Sequence, residues 1–187
     1  MFYLFGWVSF YFNISMVINN LLIAFLILLC VHSNASGGDI DELLVTEEEG
    51  VYQITVSAQI AATEKHVRRV ITDYTHAYRI NHSIIESEVL KSPVDGNIQV
   101  RARVLACTPL LCIEVERVDE VSTLKSGNIL AVIVPEKSDF RSGKALWKIN
   151  SDGDKTQLSY WASIEPAIFI PPRLGTRLVV DNLRAQF

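Results

Sequence analysis

The stretch VYQITVSAQIAATEKHVRRVITDY, residues 51–74, changes its period halfway along. Tyr52, Ile54, Val56, Ala58 and Ile60 alternate with Gln53, Thr55, Ser57 and Gln59, the pattern of a strand with one buried face. Beyond Thr63, a residue suited to cap a helix, Val67, Val70, Ile71 and Tyr74 recur at three- and four-residue intervals and make an apolar helical stripe. A short second helix carrying Tyr78 and Ile80 is expected next. The chain then returns to a strand pattern and keeps it. Residues 84–90, 97–107, 112–122, 127–135, 141–150 and 156–165 read as six strands separated by breaks rich in Ser, Pro, Gly and Asp. Pro171 and Pro172 set the start of a closing helix over 172–187, with Leu174, Leu178, Val179, Leu183 and Phe187 on its apolar side.

Short links make the six consecutive strands an antiparallel meander. The predicted fold class is α+β in the order β-α-α-β6-α, a curved seven-stranded antiparallel sheet wrapped around the C-terminal helix. Alternation turns Ile98, Val100, Ala102, Val104 and Ala106 inward, then Ala145, Trp147 and Ile149, then Leu158, Tyr160, Ala162 and Ile164. Four of these are alanines, small for the space between a bent sheet and one helix, so an apolar cleft is expected there; a plain packed core is the alternative. Candidate ligand-binding residues are Tyr78, Val100, Ala102, Val104, Trp147, Tyr160, Ala162 and Leu178. Trp147 and Tyr160 lead them, since each combines a large ring with one polar atom. Trp161 points the other way.

The 187 residues carry a net charge of −4, unevenly placed. No charged residue precedes Asp39, six acids fall between Asp39 and Glu49, and every Lys and Arg comes later. Without a basic run, nucleic acid is not an expected partner. Residues 21–31, LLIAFLILLCV, form an uncharged apolar run of signal-peptide length, followed by Ser33-Asn34-Ala35 as a cleavage site before Ser36. The expectation is a signal peptide over residues 1–35, or a retained N-terminal membrane anchor, then an acidic linker over 36–50 and one ligand-binding domain over 51–187. The n-region lacks Lys and Arg, and Met16 is an alternative start. A lipoprotein anchored at Cys30 fits less well, because Leu29 is bulky where a lipobox takes a small residue. The domain is therefore expected outside the cytoplasm, periplasmic or membrane-anchored facing the periplasm. There Cys107 and Cys112 would be the remaining thiols, and their spacing lets them face each other across a hairpin end as a disulfide. Two small buried thiols are the other reading.

The element order, together with VSAQIAATEKHVRRVITDYTHAYRINHSIIESEVL, PEKSDFRSGKALWKI and LSYWASIEP, resembles the SRPBCC superfamily. This is the helix-grip group of START lipid-transfer domains, polyketide cyclases and coenzyme Q-binding START-like proteins. The first stretch resembles the coenzyme Q-binding and cyclase-like branch, with Asp73 and Tyr74 at its helix end. ACTPLLCIEVERV is similar to a cysteine hairpin of exported bacterial members. The resemblance covers residues 51–187 and implies a hydrophobic small-molecule ligand, such as a lipid, quinone or isoprenoid-like compound. It implies no catalytic residue, because the superfamily keeps its frame while its pocket chemistry varies.

No GxSxG, HExxH, GxGxxG or P-loop pattern occurs, and no cofactor or metal site is expected. A cyclase- or dehydratase-like enzyme acting on a bound hydrophobe is the alternative function. Asp73 and His76 read as a surface ion pair, Asp139 and Arg141 as a turn pair, and Arg101 and Arg103 as an outward ladder opposite Glu114 and Glu116. Ile168, Phe169 and Ile170, ahead of the two prolines, are either core or a lip that touches a membrane surface.

Overall fold

Glu49 and Gly50 both take positive φ, 52° and 85°, and fold the acidic stretch back along the first expected strand. Two such residues match the twist of a hairpin, and glycine supplies the second without a steric penalty. The computed structural model describes residues 38–107 and 112–184. In it β1 (Asp39–Glu48) pairs antiparallel with β2 (Val51–Ile60). Most of the expected acidic linker over 36–50 is thus a strand, and the expected seven strands are eight. The acids masked a shorter signal. Leu43 and Val45 pair with Val56 and Ile54 and pack on the core, while the flanking Asp39, Asp41, Glu42 and Glu48 are exposed and make most of this outer edge hydrophilic, with Leu44 the exposed exception.

In α1 (Glu64–Ile71) Val67 and Ile71 are buried, whereas Val70, expected on the same stripe, is exposed. Thr63 stands at the N-cap, but only its backbone carbonyl caps, accepting from the N–H groups of His66 and Val67. Arg68, held by the Glu64 carboxylate one turn earlier in the same helix at 2.8 Å, fastens the helix to the sheet by donating to the Gly127 carbonyl at 2.7 Å. The second helical piece is a 3-10 segment, Tyr74–Arg79, broken at His76.

The rest of the sheet is β3 (Ile84–Lys91), β4 (Ile98–Cys107), β5 (Cys112–Thr123), β6 (Ile129–Ile133), β7 (Phe140–Asp152) and β8 (Lys155–Pro166). Its order is β1-β2-β8-β7-β6-β5-β4-β3, antiparallel throughout, as the meander predicts. Cys107 and Cys112 are directly opposed in register and joined by a disulfide that closes the β4–β5 hairpin. Residues 108–111 between them lie outside the described residues, as do residues 1–37 with the apolar run and cleavage site.

The closing helix α2 (Pro172–Arg184) contacts β1 and lies at the β1–β2 side of the sheet. Gly175 is seated on the ring of Tyr52, where any Cβ would overlap the hydroxyl and two ring carbons. Close approach is what glycine permits here. Gly175, Val179 and Leu183 follow at four-residue intervals on one helix face, and the latter two pack on the core. The helix is therefore turned so that Leu178 falls beside this stripe, half-buried. The Leu174 side chain and Phe187 lie outside the described residues.

Candidate functional site

On the inner face Ala131 of β6 pairs with Ala145 of β7, which leaves a low floor in the middle of the sheet. Longer side chains lean over it from both sides, Arg117 and Asp119 from β5 and Trp147 and Tyr160 from β7 and β8. Together with Val100, Ala102 and Val104 of β4 they enclose a cavity of about 240 Å³. Tyr74, Ala77 and Ile80 from the 3-10 segment and its end, and Leu183 of α2, complete the walls. The cavity exists because alanines occupy positions where leucine-sized residues would fill a core of ordinary density.

Its chemistry is concentrated in one cluster. Residues two apart on a strand share a face, so Arg117 and Asp119 lie side by side. The Arg117 guanidinium donates Nε–H to Asp119 Oδ2 at 2.7 Å and Nη2–H to Oδ1 at 2.9 Å, a bidentate pair. The two side chains are only 19% and 14% exposed. Although β6 and β7 separate β5 from β8, Tyr160 lines the same hollow as the Arg117–Asp119 pair, on the other side of the alanine floor. Burial raises the Tyr160 pKa, against the pull of the Arg117 charge, so the phenol is a protonated donor at neutral pH. Burial also works against the Arg117 charge, but Asp119 and then Tyr160 outweigh it and the guanidinium is held above its ordinary range. The Trp147 and Tyr160 rings lie 4.2 Å apart between centroids at a 42° tilt.

Trp147 also faces a second apolar cavity of about 370 Å³, bounded by Ile60, Ala62, Val67, Val70 and Leu158 with His66 and Arg79 at its margin. Ile71, Ile80 and Trp147 line both spaces, so these three side chains form the partition between them.

Five of the eight candidate residues, Val100, Ala102, Val104, Trp147 and Tyr160, come together on the wall of the first cavity. Ala162 has 0% exposure and sits in register between Ala145 of the floor and Ile54 of β2, packed in the core rather than open to the cavity. Tyr78 is 49% exposed, because the break at His76 turns it outward, edge-on to the His76 ring. Leu178 is set aside by the rotation of α2, and Leu183 reaches the cavity instead. Arg117 and Asp119 are absent from the sequence candidates, yet their signal was available. In CIEVERVDEV the phase Ile113, Val115, Arg117, Asp119, Val121 is continuous with inward valines, which places two charges on an apolar face.

The other charged groups stay outside. Arg101 meets Glu88 at 2.6 Å, and Arg103 meets Glu86 at 3.2 Å and Glu114 at 3.3 Å, so the ladder runs across β3, β4 and β5 without Glu116. Glu116 instead gives its backbone N–H to the Asp139 carboxylate at 2.7 Å, and the Asp139 carbonyl accepts from Ala167, the bonding of a turn clamp. His76 contacts Asp73 at 2.8 Å on the surface and, chiefly through that hydrogen bond, holds the carboxylate below its usual range. Ile168, Phe169 and Ile170 line a groove of about 350 Å³ with Tyr52, Glu47 and Arg141, and Phe169 is 87% exposed. Among the described residues no group of three or more His, Cys, Asp or Glu is placed to hold a metal ion.

No family model matches the sequence, nor does any curated protein. Solved structures do match in fold. A START superfamily protein from Mycobacterium smegmatis superimposes with a TM-score of 0.58 at 18% identity, over 71% of this chain and 89% of that one. The Zhui aromatase/cyclase from Streptomyces sp. R1128 gives 0.56 at 14% identity, over 73% and 86%. A STAR-related lipid transfer protein from Xanthomonas axonopodis gives 0.54 at 19% identity, over 78% and 97%. The architecture built above from alternation and turns is accordingly a START-like helix-grip fold, the fold of these solved structures.

Proposed function

We propose that this protein binds a hydrophobic small molecule, of lipid, quinone or isoprenoid-like character, in the cavity above the Ala131–Ala145 floor and carries it. The observation that supports this reading is a largely apolar hollow whose charged lining is one mutually paired Arg117 and Asp119, adjoining a second apolar space across Trp147. Burying about 400 Å² of ligand hydrocarbon yields on the order of 10 kcal/mol before association costs, enough for micromolar binding. The solved structures of similar fold include a lipid transfer protein, which is in keeping with a hydrophobic cargo. Export to the periplasm belongs to the same reading and is in keeping with the Cys107–Cys112 disulfide. Cargo exchange at a membrane surface would use Ile168, Phe169 and Ile170, whose exposed rim is the natural contact.

Native mass spectrometry of the purified protein with extraction of its lipids tests the reading, and a copurifying hydrophobe is expected. Trp147→Asp should abolish that adduct and the uptake of a neutral fluorescent dye, while clean apo protein that takes up no dye refutes carriage. A second reading, a cyclase- or dehydratase-like enzyme, is favoured by Arg117, Asp119 and Tyr160 converging inside the hollow, where a charge and a proton donor meet a bound substrate. It requires turnover of a poly-β-keto thioester that Tyr160→Phe slows at unchanged dye affinity.

A further inference from the structure

The polar cluster carries a prediction about the head of the ligand, and it rests on the hydrophobe-binding reading above. Arg117 and Asp119 are the charged side chains on the wall of this cavity, and each is neutralised by the other through two short hydrogen bonds. The hollow therefore holds no net charge. An anionic head would have to leave water without gaining an unpaired cation, or else displace Asp119 and strand that carboxylate in the interior. A cationic head faces the mirror-image penalty at Arg117.

What the cluster does offer is donors. Of the five N–H groups of a guanidinium, two go to Asp119, which leaves the others to meet a ligand on the cavity wall. The Tyr160 phenol on the same wall is protonated and has its own O–H to give. Spare donors in an apolar space favour a ligand oxygen that accepts without bearing charge. Asp119 sharpens this choice, because it holds the guanidinium in one orientation and cancels the charge that would otherwise recruit a carboxylate or phosphate.

We propose that the cavity selects hydrophobes with an uncharged oxygen head that accepts hydrogen bonds, of the ketone type, and rejects free fatty acids and phosphate-bearing lipids, with the Arg117–Asp119 pair as the discriminating element. The test is competition against a neutral naphthylamine dye at neutral pH, using three compounds of similar chain length: methyl decyl ketone, dodecanoic acid and dodecane. The ketone is expected to displace the dye at least tenfold more effectively than either other compound. Asp119→Asn, which leaves the arginine charge unpaired, should reverse the order and tighten dodecanoic acid at least tenfold. Because a stranded charge can unfold the domain, Arg117→Leu combined with Asp119→Leu supplies an independent check. This double variant should still take up the dye but bind ketone and dodecane alike. Wild-type protein that binds the dye yet prefers the acid, or treats the three compounds equally, overturns the head-group proposal and leaves hydrophobe binding standing. Protein that takes up no dye overturns both.

Discussion

The β4–β5 hairpin carries two arginine–carboxylate clusters on opposite faces, and they differ in almost everything except chemistry. On the outer face Arg101 and Arg103 meet Glu86, Glu88 and Glu114, with side chains between 36% and 51% exposed. On the inner face Arg117 meets Asp119 in a bidentate pair beside a phenol and an indole. A strand exposes alternate residues to alternate faces, so a single step in register separates a solvated ladder from a charge inside the fold. Water screens the first and is largely excluded from the second, which makes the inner pair the more costly to disturb and the more informative about function.

Breaking the inner pair should therefore give the largest effect in the molecule. Asp119→Ala leaves a guanidinium without its partner in an apolar wall, a change expected to destabilise the domain by about 3–5 kcal/mol in urea unfolding. Replacing both partners by leucine removes charge and desolvation together and should return stability to the wild-type level or above. If Asp119→Ala proves as mild as a surface substitution, the pair is solvated and the contrast between the two faces collapses.

How much of this was legible before the coordinates depends on which signal each region carries. The meander, the helix pair and the closing helix follow from period and turn chemistry, because alternation survives wherever one face is buried. β1 was obscured by its acids, whose number reads as a linker although Leu43 and Val45 keep the two-residue period and Glu49-Gly50 supplies a turn. Trp147 and Tyr160 were legible as inward rings. Arg117 and Asp119 were not singled out, because a charged residue in a strand is ordinarily assigned to the wet face, and the overriding clue lay in the phase of its neighbours. Tyr78 and Leu178 illustrate the opposite limit. Each depends on a rotation, at the His76 break and at the Gly175–Tyr52 contact, that no periodicity within one element encodes.

The second-largest effect should come from that contact. Gly175→Ala introduces a Cβ into the volume of the Tyr52 ring and must shift α2 or the tyrosine, an overpacking expected to cost about 1–3 kcal/mol. Thermal unfolding measures it, and pairing Gly175→Ala with Tyr52→Leu should recover part of the loss. Failure of that rescue would place α2 away from Tyr52. The disulfide comes next. Cys107→Ser with Cys112→Ser removes a cross-link that closes a very short loop, so roughly 2 kcal/mol is expected in the chain-entropy view. Since the bond ties the end of the hairpin bearing both clusters, its removal should loosen hydrogen exchange along the cysteine ends of β4 and β5 while that of β2 and β8 is unchanged.

The outer ladder sets the lower bound. Arg103 touches two glutamates, yet all three side chains are at least 42% exposed, and in that setting each contact exchanges one hydration shell for another. Arg103→Ala should therefore change stability by no more than about 1 kcal/mol, with a difference that shrinks further as salt is raised. Arg117→Ala deletes the same cation, but its destabilisation should persist at high salt, because a carboxylate shielded from solvent is shielded from counter-ions as well. Equal salt dependence for the two arginines would mean that both faces of the hairpin are wet, and the hollow above Ala131 and Ala145 would then be an open channel of water rather than a place for a hydrophobe.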